Sequence, residues 1–109
     1  MDQNFELAVF DMDGVLVDVE SSWVWVHNHF KVNNDDSLKK YLKGEIDDLE
    51  FIRRDIDLWR DKNKDLTRSD IVSILSEVPL VKGFHRCLSN LKKKQLKKAI
   101  ISGGLKPLA

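Results

Sequence analysis

The sequence predicts an α/β fold in which two short parallel strands, far apart in the chain, bracket a long helical stretch. Three observations predict it. Leu7-Ala8-Val9-Phe10 is a short apolar run containing the strand-favouring residues Val and Phe, and it leads into Asp11-Met12-Asp13-Gly14. Ala99-Ile100-Ile101 is a second such run, and it ends in Ser102-Gly103-Gly104. Between them, apolar residues recur at three- and four-residue spacing, the helical period. Strands separated by helix, each short and apolar, read as buried parallel strands joined by a right-handed crossover.

The elements follow in order. After Leu7–Phe10 the chain must turn, and Gly14 permits the positive φ and close backbone approach that a tight turn needs. Ser21 or Ser22 can cap a helix running to Phe30, with Trp23, Val26 and Phe30 on one face; the alternation of Trp23 and Trp25 also fits a strand. Asn33-Asn34-Asp35-Asp36 is a turn and cap signal ahead of a short helix, Ser37 to Lys43, closed by Gly44. Asp47 to Lys62 is the most helical stretch, with Leu49, Ile52, Ile56 and Trp59 as its apolar stripe. Thr67, with Asp70 three residues on, can cap a further helix whose apolar side is Ile71, Ile74, Leu75 and Val78, and Pro79 ends it. Phe84 to Lys94 is amphipathic through Phe84, Cys87, Leu88 and Leu91, so Cys87 is expected in the core. Leu105 to Ala109 begins one more element. The domain division is residues 1–17 and 81–109 as an α/β core, with residues 18–80 as a helical insertion.

Composition narrows the function classes. In 109 residues, 42% are hydrophobic and 33% charged, which suits a globular chain. Eighteen Lys and Arg balance eighteen Asp and Glu, so bulk charge makes no case for nucleic acid. The run Lys92-Lys93-Lys94 with Lys97-Lys98 reads as a solvated face. One cysteine cannot form an internal disulfide, which fits a reducing, cytoplasmic setting. Asp2 and Glu6 stand where a leader would be basic, and no apolar run is long enough for a membrane span, so neither a signal peptide nor membrane association is expected.

The chemistry concentrates where the strands end. In a parallel sheet, the carboxyl ends of neighbouring strands face the same crevice. Asp11 and Asp13 would meet there with Ser102, Gly103 and Gly104. Two carboxylates in such a place need a cation or hydrogen-bond donors. They suit magnesium, which takes one or two carboxylates together with waters and phosphate oxygens. One carboxylate can attack phosphorus and the other can carry a proton. The Ser102 hydroxyl and the Gly103 and Gly104 N–H groups can donate to phosphate, and a following helix N-terminus would add to them. A calcium loop does not fit, because Gly14 comes too early and Val15 occupies a ligand position. His27 and His29 are not four apart and do not make a joint metal site on a helix. Trp23, Trp25 and Trp59 read as core residues, and Asp18 as a solvated loop acid.

Asp11-Met12-Asp13-Gly14-Val15-Leu16-Val17 resembles the first motif of the haloacid dehalogenase (HAD) superfamily of phosphatases, and Ile101-Ser102-Gly103-Gly104 resembles its second. Within the superfamily the chain is most similar to phosphoserine phosphatases: Glu20 lies where those enzymes place a substrate-recognising glutamate, and Gly44, the Phe/Arg-containing helix after it, Pro79 and Gly83 fit the same pattern. The resemblance implies a partial Rossmann-like HAD core with an inserted helical cap. It implies a magnesium-dependent phosphomonoesterase acting on a small phosphorylated metabolite. Asp11 would be the nucleophile that becomes a phosphoaspartate, and Asp13 the general acid and base. Asp11 and Asp13 would hold Mg2+. Met12, Ser102 and Gly103 would lie on the phosphoryl group, and Arg53 or Arg54 would meet a substrate carboxylate. Glu20 is either a substrate contact or a solvated acid at a helix start.

The superfamily pattern continues with a lysine after a third strand and acidic metal ligands after a fourth. The chain stops before these, and Lys106 follows the second strand too soon to stand in. The expectation is therefore the N-terminal part of such an enzyme, a homo-oligomer or the partner of a complementary C-terminal chain, because two strands are marginal alone and expose their edges. The alternative function is a catalytically incomplete fragment acting as a binding or assembly half.

Overall fold

The computed structural model describes residues 4–109. Asp2, one of the two acids read against a leader, lies outside them. The order is β1 (Leu7–Phe10), α1 (Ser22–Phe30), α2 (Asp35–Leu42), α3 (Asp48–Lys62), α4 (Arg68–Leu75), α5 (Phe84–Lys93) and β2 (Lys97–Ile100), then a 3-10 turn at Lys106–Leu108. β1 and β2 pair in parallel, with Leu7 opposite Lys97 and Phe10 opposite Ile100. The fold class is α/β, as the sequence predicts.

Local chemistry explains most element starts. The Ser21 side chain caps α1 by accepting from the Val24 N–H. Asp47 caps α3 by accepting from the Glu50 N–H at 2.8 Å. Thr67 and Asp70 form a reciprocal capping box at α4. Gly44 takes a φ of 77° just past α2, where its N–H reaches back to the Tyr41 carbonyl at 3.0 Å. The chain enters and leaves the helical segment side by side: the Asp18 N–H donates to the Pro79 carbonyl at 2.8 Å, and the Val81 N–H to the Leu16 carbonyl at 2.9 Å.

The core lies in the helices and the turn after β1. Met12, Val17, Val26, Trp59, Leu75 and Val78 are buried, with Trp23, Ile56, Ile71 and Leu105 packed on them. The expectation of buried strands is corrected here. Leu7 and Val9 are each about half exposed, and Ile101 is 73% exposed. Among the described residues the sheet has two strands, and no element covers the side on which Leu7 and Val9 lie. That openness also explains why β2 begins two residues before the apolar run, at Lys97. Backbone pairing to β1 is enough to make the strand, and lysine side chains find solvent there.

Three further expectations shift for related reasons. Leu49 and Ile52, the first half of the α3 stripe, are exposed; α3 meets its neighbours through Ile56 and Trp59. Cys87 is exposed rather than in the core, because α5 buries no residue completely and half-covers only Phe84, Leu88 and Leu91. α2 starts at Asp35, so Asp35 and Asp36 sit in its first turn, where acids suit the helix dipole, and Asn34 takes the cap position. No helix among the described residues is long and apolar enough to cross a membrane.

Candidate active site

The site is built on the turn that follows β1. The Met12 carbonyl accepts from the N–H groups of Val15, Leu16 and Val17 at 3.1, 2.9 and 3.2 Å, and Gly14 adopts a φ of 76° within that turn. Met12 itself is buried to 1% exposure and roots the loop in the core. The turn breaks the strand parity of the two carboxylates. Asp11 stays exposed and accepts from the Met12 N–H through Oδ1 at 2.7 Å. Asp13 turns inward.

The contacts of Asp13 define the site. Its Oδ2 accepts from the Ser22 N–H at 2.9 Å and from the Ser22 hydroxyl at 3.2 Å. Its Oδ1 is buried with no hydrogen-bond partner. Ser22 is fully buried, and its Oγ also accepts from the Leu105 N–H at 2.9 Å. The loop after β2 is thereby tied to the loop after β1. Gly104 is the residue that allows the approach: a Cβ there would stand 2.6 Å from Met12 Cε and 2.9 Å from both Asp13 Oδ2 and Ser22 Oγ. Trp23 adds a second tie, its indole N–H donating to the Gly103 carbonyl at 3.1 Å.

The Ser102 Oγ accepts from the Gly104 N–H at 2.9 Å. That bond leaves the Ser102 hydroxyl hydrogen available to an anion, and it removes the Gly104 N–H from the set of donors expected of this loop. Gly103 is exposed, and its N–H has no partner among the described residues. A 3-10 turn at Lys106–Leu108 follows this loop.

The remaining candidates, Glu20, Arg53 and Arg54, have side chains that make no hydrogen bond or ion pair with this cluster. Glu20 is exposed just before the cap residue Ser21, along a groove shared with Val24, Trp25 and Asn28. Arg53 and Arg54 are both engaged by Glu50: Arg53 Nε and Arg54 Nε each lie 2.9 Å from a Glu50 oxygen. These bonds hold the Glu50 carboxyl below its ordinary range and raise the Arg53 guanidinium. The structure does not bring either arginine to Asp11 or Asp13.

Sequence reasoning missed Ser22 and Trp23 as parts of the site. Ser22 is read only as a possible cap, and nothing local distinguishes it from Ser21. The pairing that gives it a role spans 83 positions of chain. Gly104 is expected there as a phosphate donor, and its close packing on Asp13 and Ser22 is what the sequence does not show.

Asp11 and Asp13 fit a hard cation. Two carboxylates are the protein share that magnesium usually takes, and Asp13 Oδ1 is a buried acceptor with nothing to accept. Among the described residues no group of three or more His, Cys, Asp or Glu side chains could hold a metal, so a closed all-protein cage does not fit.

No family model matches the chain. It is 29% identical over 100 residues to a phosphoserine phosphatase of Campylobacter jejuni subsp. doylei, covering 91% of this chain and 46% of that protein. It is 30% identical over 103 residues to a phosphoserine phosphatase of Wolinella succinogenes, covering 93% of this chain and 48% of that one. The chain thus spans about half the length of the curated relatives it matches. A crystal structure of a HAD family hydrolase from Salmonella enterica subsp. enterica serovar Typhi superposes with a TM-score of 0.72 at 22% identity, covering 94% of this chain and 34% of that one. The chain is therefore a partial match to proteins named phosphoserine phosphatase, similar to them over nine-tenths of its own length, and it carries the fold of a HAD family hydrolase.

Proposed function

We propose that the chain carries the phosphoryl-transfer site of a HAD-type phosphomonoesterase, similar to phosphoserine phosphatases. The observation that carries the reading is the meeting of two strand ends. Asp11 and Asp13 follow β1, Ser102 and Gly103 follow the parallel β2, and Ser22 ties the two loops together. In this reading residues 18–80 are the cap, and residues 1–17 with 81–109 belong to the core.

The chemistry assigned to the residues balances in two steps. An Asp11 oxygen attacks phosphorus in line, and the bond from phosphorus to the leaving oxygen breaks while Asp13 gives that oxygen a proton. Water then attacks the same phosphorus, Asp13 takes its proton, and the Asp11–phosphorus linkage opens to release phosphate. Ser102 and Gly103 hold the phosphoryl oxygens, with Met12 supplying backbone beside them. Asp11 and Asp13 would hold Mg2+, which when bound neutralises phosphate charge. Glu20 and Arg53 or Arg54 are the side chains proposed to read the rest of a small substrate. A complementary C-terminal chain or a second copy of this chain is the partner proposed for the open sheet.

The test is hydrolysis of an aryl phosphate and of phosphoserine, with magnesium and with a chelator, by the chain and by Asp11→Asn. Magnesium-dependent turnover that vanishes in Asp11→Asn is the expected result. Turnover retained in Asp11→Asn overturns the nucleophile assignment.

A further inference from the structure

We infer that Ser22 is a positioning residue of the site: its side chain orients the Asp13 carboxylate and at the same time sets the distance between the two loops that hold the phosphoryl group. The inference rests on the phosphatase reading and deepens it.

The argument begins with hydrogen-bond capacity. A serine hydroxyl has one hydrogen to give. The Leu105 N–H approaches Oγ at 2.9 Å and can only donate, so that contact uses a lone pair. The hydroxyl hydrogen is then free for Asp13 Oδ2 at 3.2 Å. The Ser22 N–H, at the first position of α1, donates to the same oxygen at 2.9 Å, where the helix dipole also favours a carboxylate. Both bonds fall on Oδ2, and none falls on Oδ1. The two carboxylate oxygens therefore become unlike. Oδ2 is fixed to the scaffold, and Oδ1 is held in place without a donor of its own.

The same hydroxyl sets the spacing of the loops. Ser22 is completely buried, and the Gly104 backbone packs so closely that an added Cβ would meet Ser22 Oγ and Asp13 Oδ2 at 2.9 Å. Through Leu105, Ser22 holds the segment carrying Ser102 and Gly103 against the one carrying Asp11 and Asp13. Ser22 has no direct part in the chemistry, because its hydroxyl is occupied on both sides.

The test compares Ser22→Ala and Ser22→Thr with the unaltered protein. Ser22→Ala keeps the N–H bond to Asp13 and removes both hydroxyl bonds; Ser22→Thr keeps the hydroxyl. Losing a hydrogen bond to a charged group predicts a fall in kcat of about 10- to 100-fold in Ser22→Ala, with KM for an aryl phosphate moving less than about threefold. Ser22→Thr should restore kcat to within about threefold. If the added methyl keeps Ser22→Thr from folding, as judged by circular dichroism, Ser22→Cys replaces it as the donor-retaining variant and should fall between the two. Unchanged kcat in Ser22→Ala, or an equal loss in the folded donor-retaining variant, overturns the inference.

A second readout is independent of turnover: amide hydrogen exchange at Leu105. Exchange should quicken at least about tenfold in Ser22→Ala and stay near the unaltered rate in the hydroxyl-retaining variant. A protein without turnover would sink the phosphatase reading alone, and the Leu105 amide would then decide whether Ser22 ties the loops. Equal protection in all variants overturns that tie.

Discussion

Two buried polar clusters in this chain are built from similar parts and end differently. One is Asp13, Ser22 and the loop around Gly104. The other lies among the helices, where the Trp59 indole N–H donates to His27 Nδ1 at 2.8 Å, His27 Nε2 stands 3.5 Å from Asp55 Oδ2, and the Asn34 side-chain amide donates to Asp55 Oδ1 at 3.0 Å. Each contains a carboxylate, half-buried Asp13 in the first and buried Asp55 in the second, and each leaves one buried polar atom without a good hydrogen bond, Asp13 Oδ1 in the first and His27 Nε2 in the second. In the helical cluster the under-satisfied atom faces an oppositely polar partner inside packed side chains, with Trp23 stacked on Trp59 at 5.5 Å between ring centres. In the strand-end cluster it lies in the loop that also holds the exposed Asp11. The difference teaches that burial of a charge is not itself a sign of function. What separates the two is whether the unsatisfied atom is closed in by its own fold or left beside groups that can receive a ligand.

Substitutions sharpen this contrast. The largest effect is expected at Asp11, where Asn removes the proposed nucleophile while leaving a side chain of the same shape; turnover should fall by about 10³-fold or more with the melting temperature nearly unchanged. The helical cluster should respond in the opposite sense. Asp55→Ala strips partners from Asn34 and His27 and should lower unfolding free energy by about 2–3 kcal/mol in denaturant titrations, with turnover per folded molecule retained. A loss of turnover as large as that in Asp11→Asn would erase the distinction between the clusters.

Gly104→Ala is expected to fall between them. The Met12 methyl can move aside, but Asp13 and Ser22 are held by each other, so the new Cβ must open the loops. A fall in turnover of about tenfold with a stability loss of about 1 kcal/mol would fit, and no change in either would show that the loops are freer than their contacts imply.

The smallest effect is a pH dependence in the helical cluster. Burial lowers the His27 pKa below its ordinary 6.5, a pull that Asp55 only partly offsets. The indole of Trp59 can only donate, so Nδ1 must stay unprotonated for that bond to exist. The unfolded chain therefore takes up its proton at a higher pH than the native one. Stability contributed by this histidine is present above pH 6.5 and is lost as pH falls from there toward the folded pKa. His27→Gln should flatten that part of a stability-versus-pH curve. An unchanged slope would place the acid sensitivity elsewhere.

The two clusters are joined by one side chain. Trp23 stacks on Trp59 on one side and donates to the Gly103 carbonyl on the other. The helical segment is thus part of what shapes the loop after β2.

By itself the sequence determined what depends on a few neighbouring residues. The bounds of β1, a serine cap at position 21 or 22, the Thr67 cap with Asp70 and the glycine after α2 were legible because each is a local hydrogen-bond or dihedral problem with a short-range answer. That the loops after β1 and β2 meet was legible too, since parallel pairing brings strand ends together. Tertiary structure alone decided exposure and partnership. The apolar sides of β1 and α5 lie largely open, Leu49 and Cys87 face solvent, and Ser22 rather than a more conspicuous residue joins the two loops. Apolar spacing tells which side of an element could be buried, but burial needs another surface to close on it. A hydrogen bond across 83 residues leaves no periodic trace in the chain that makes it.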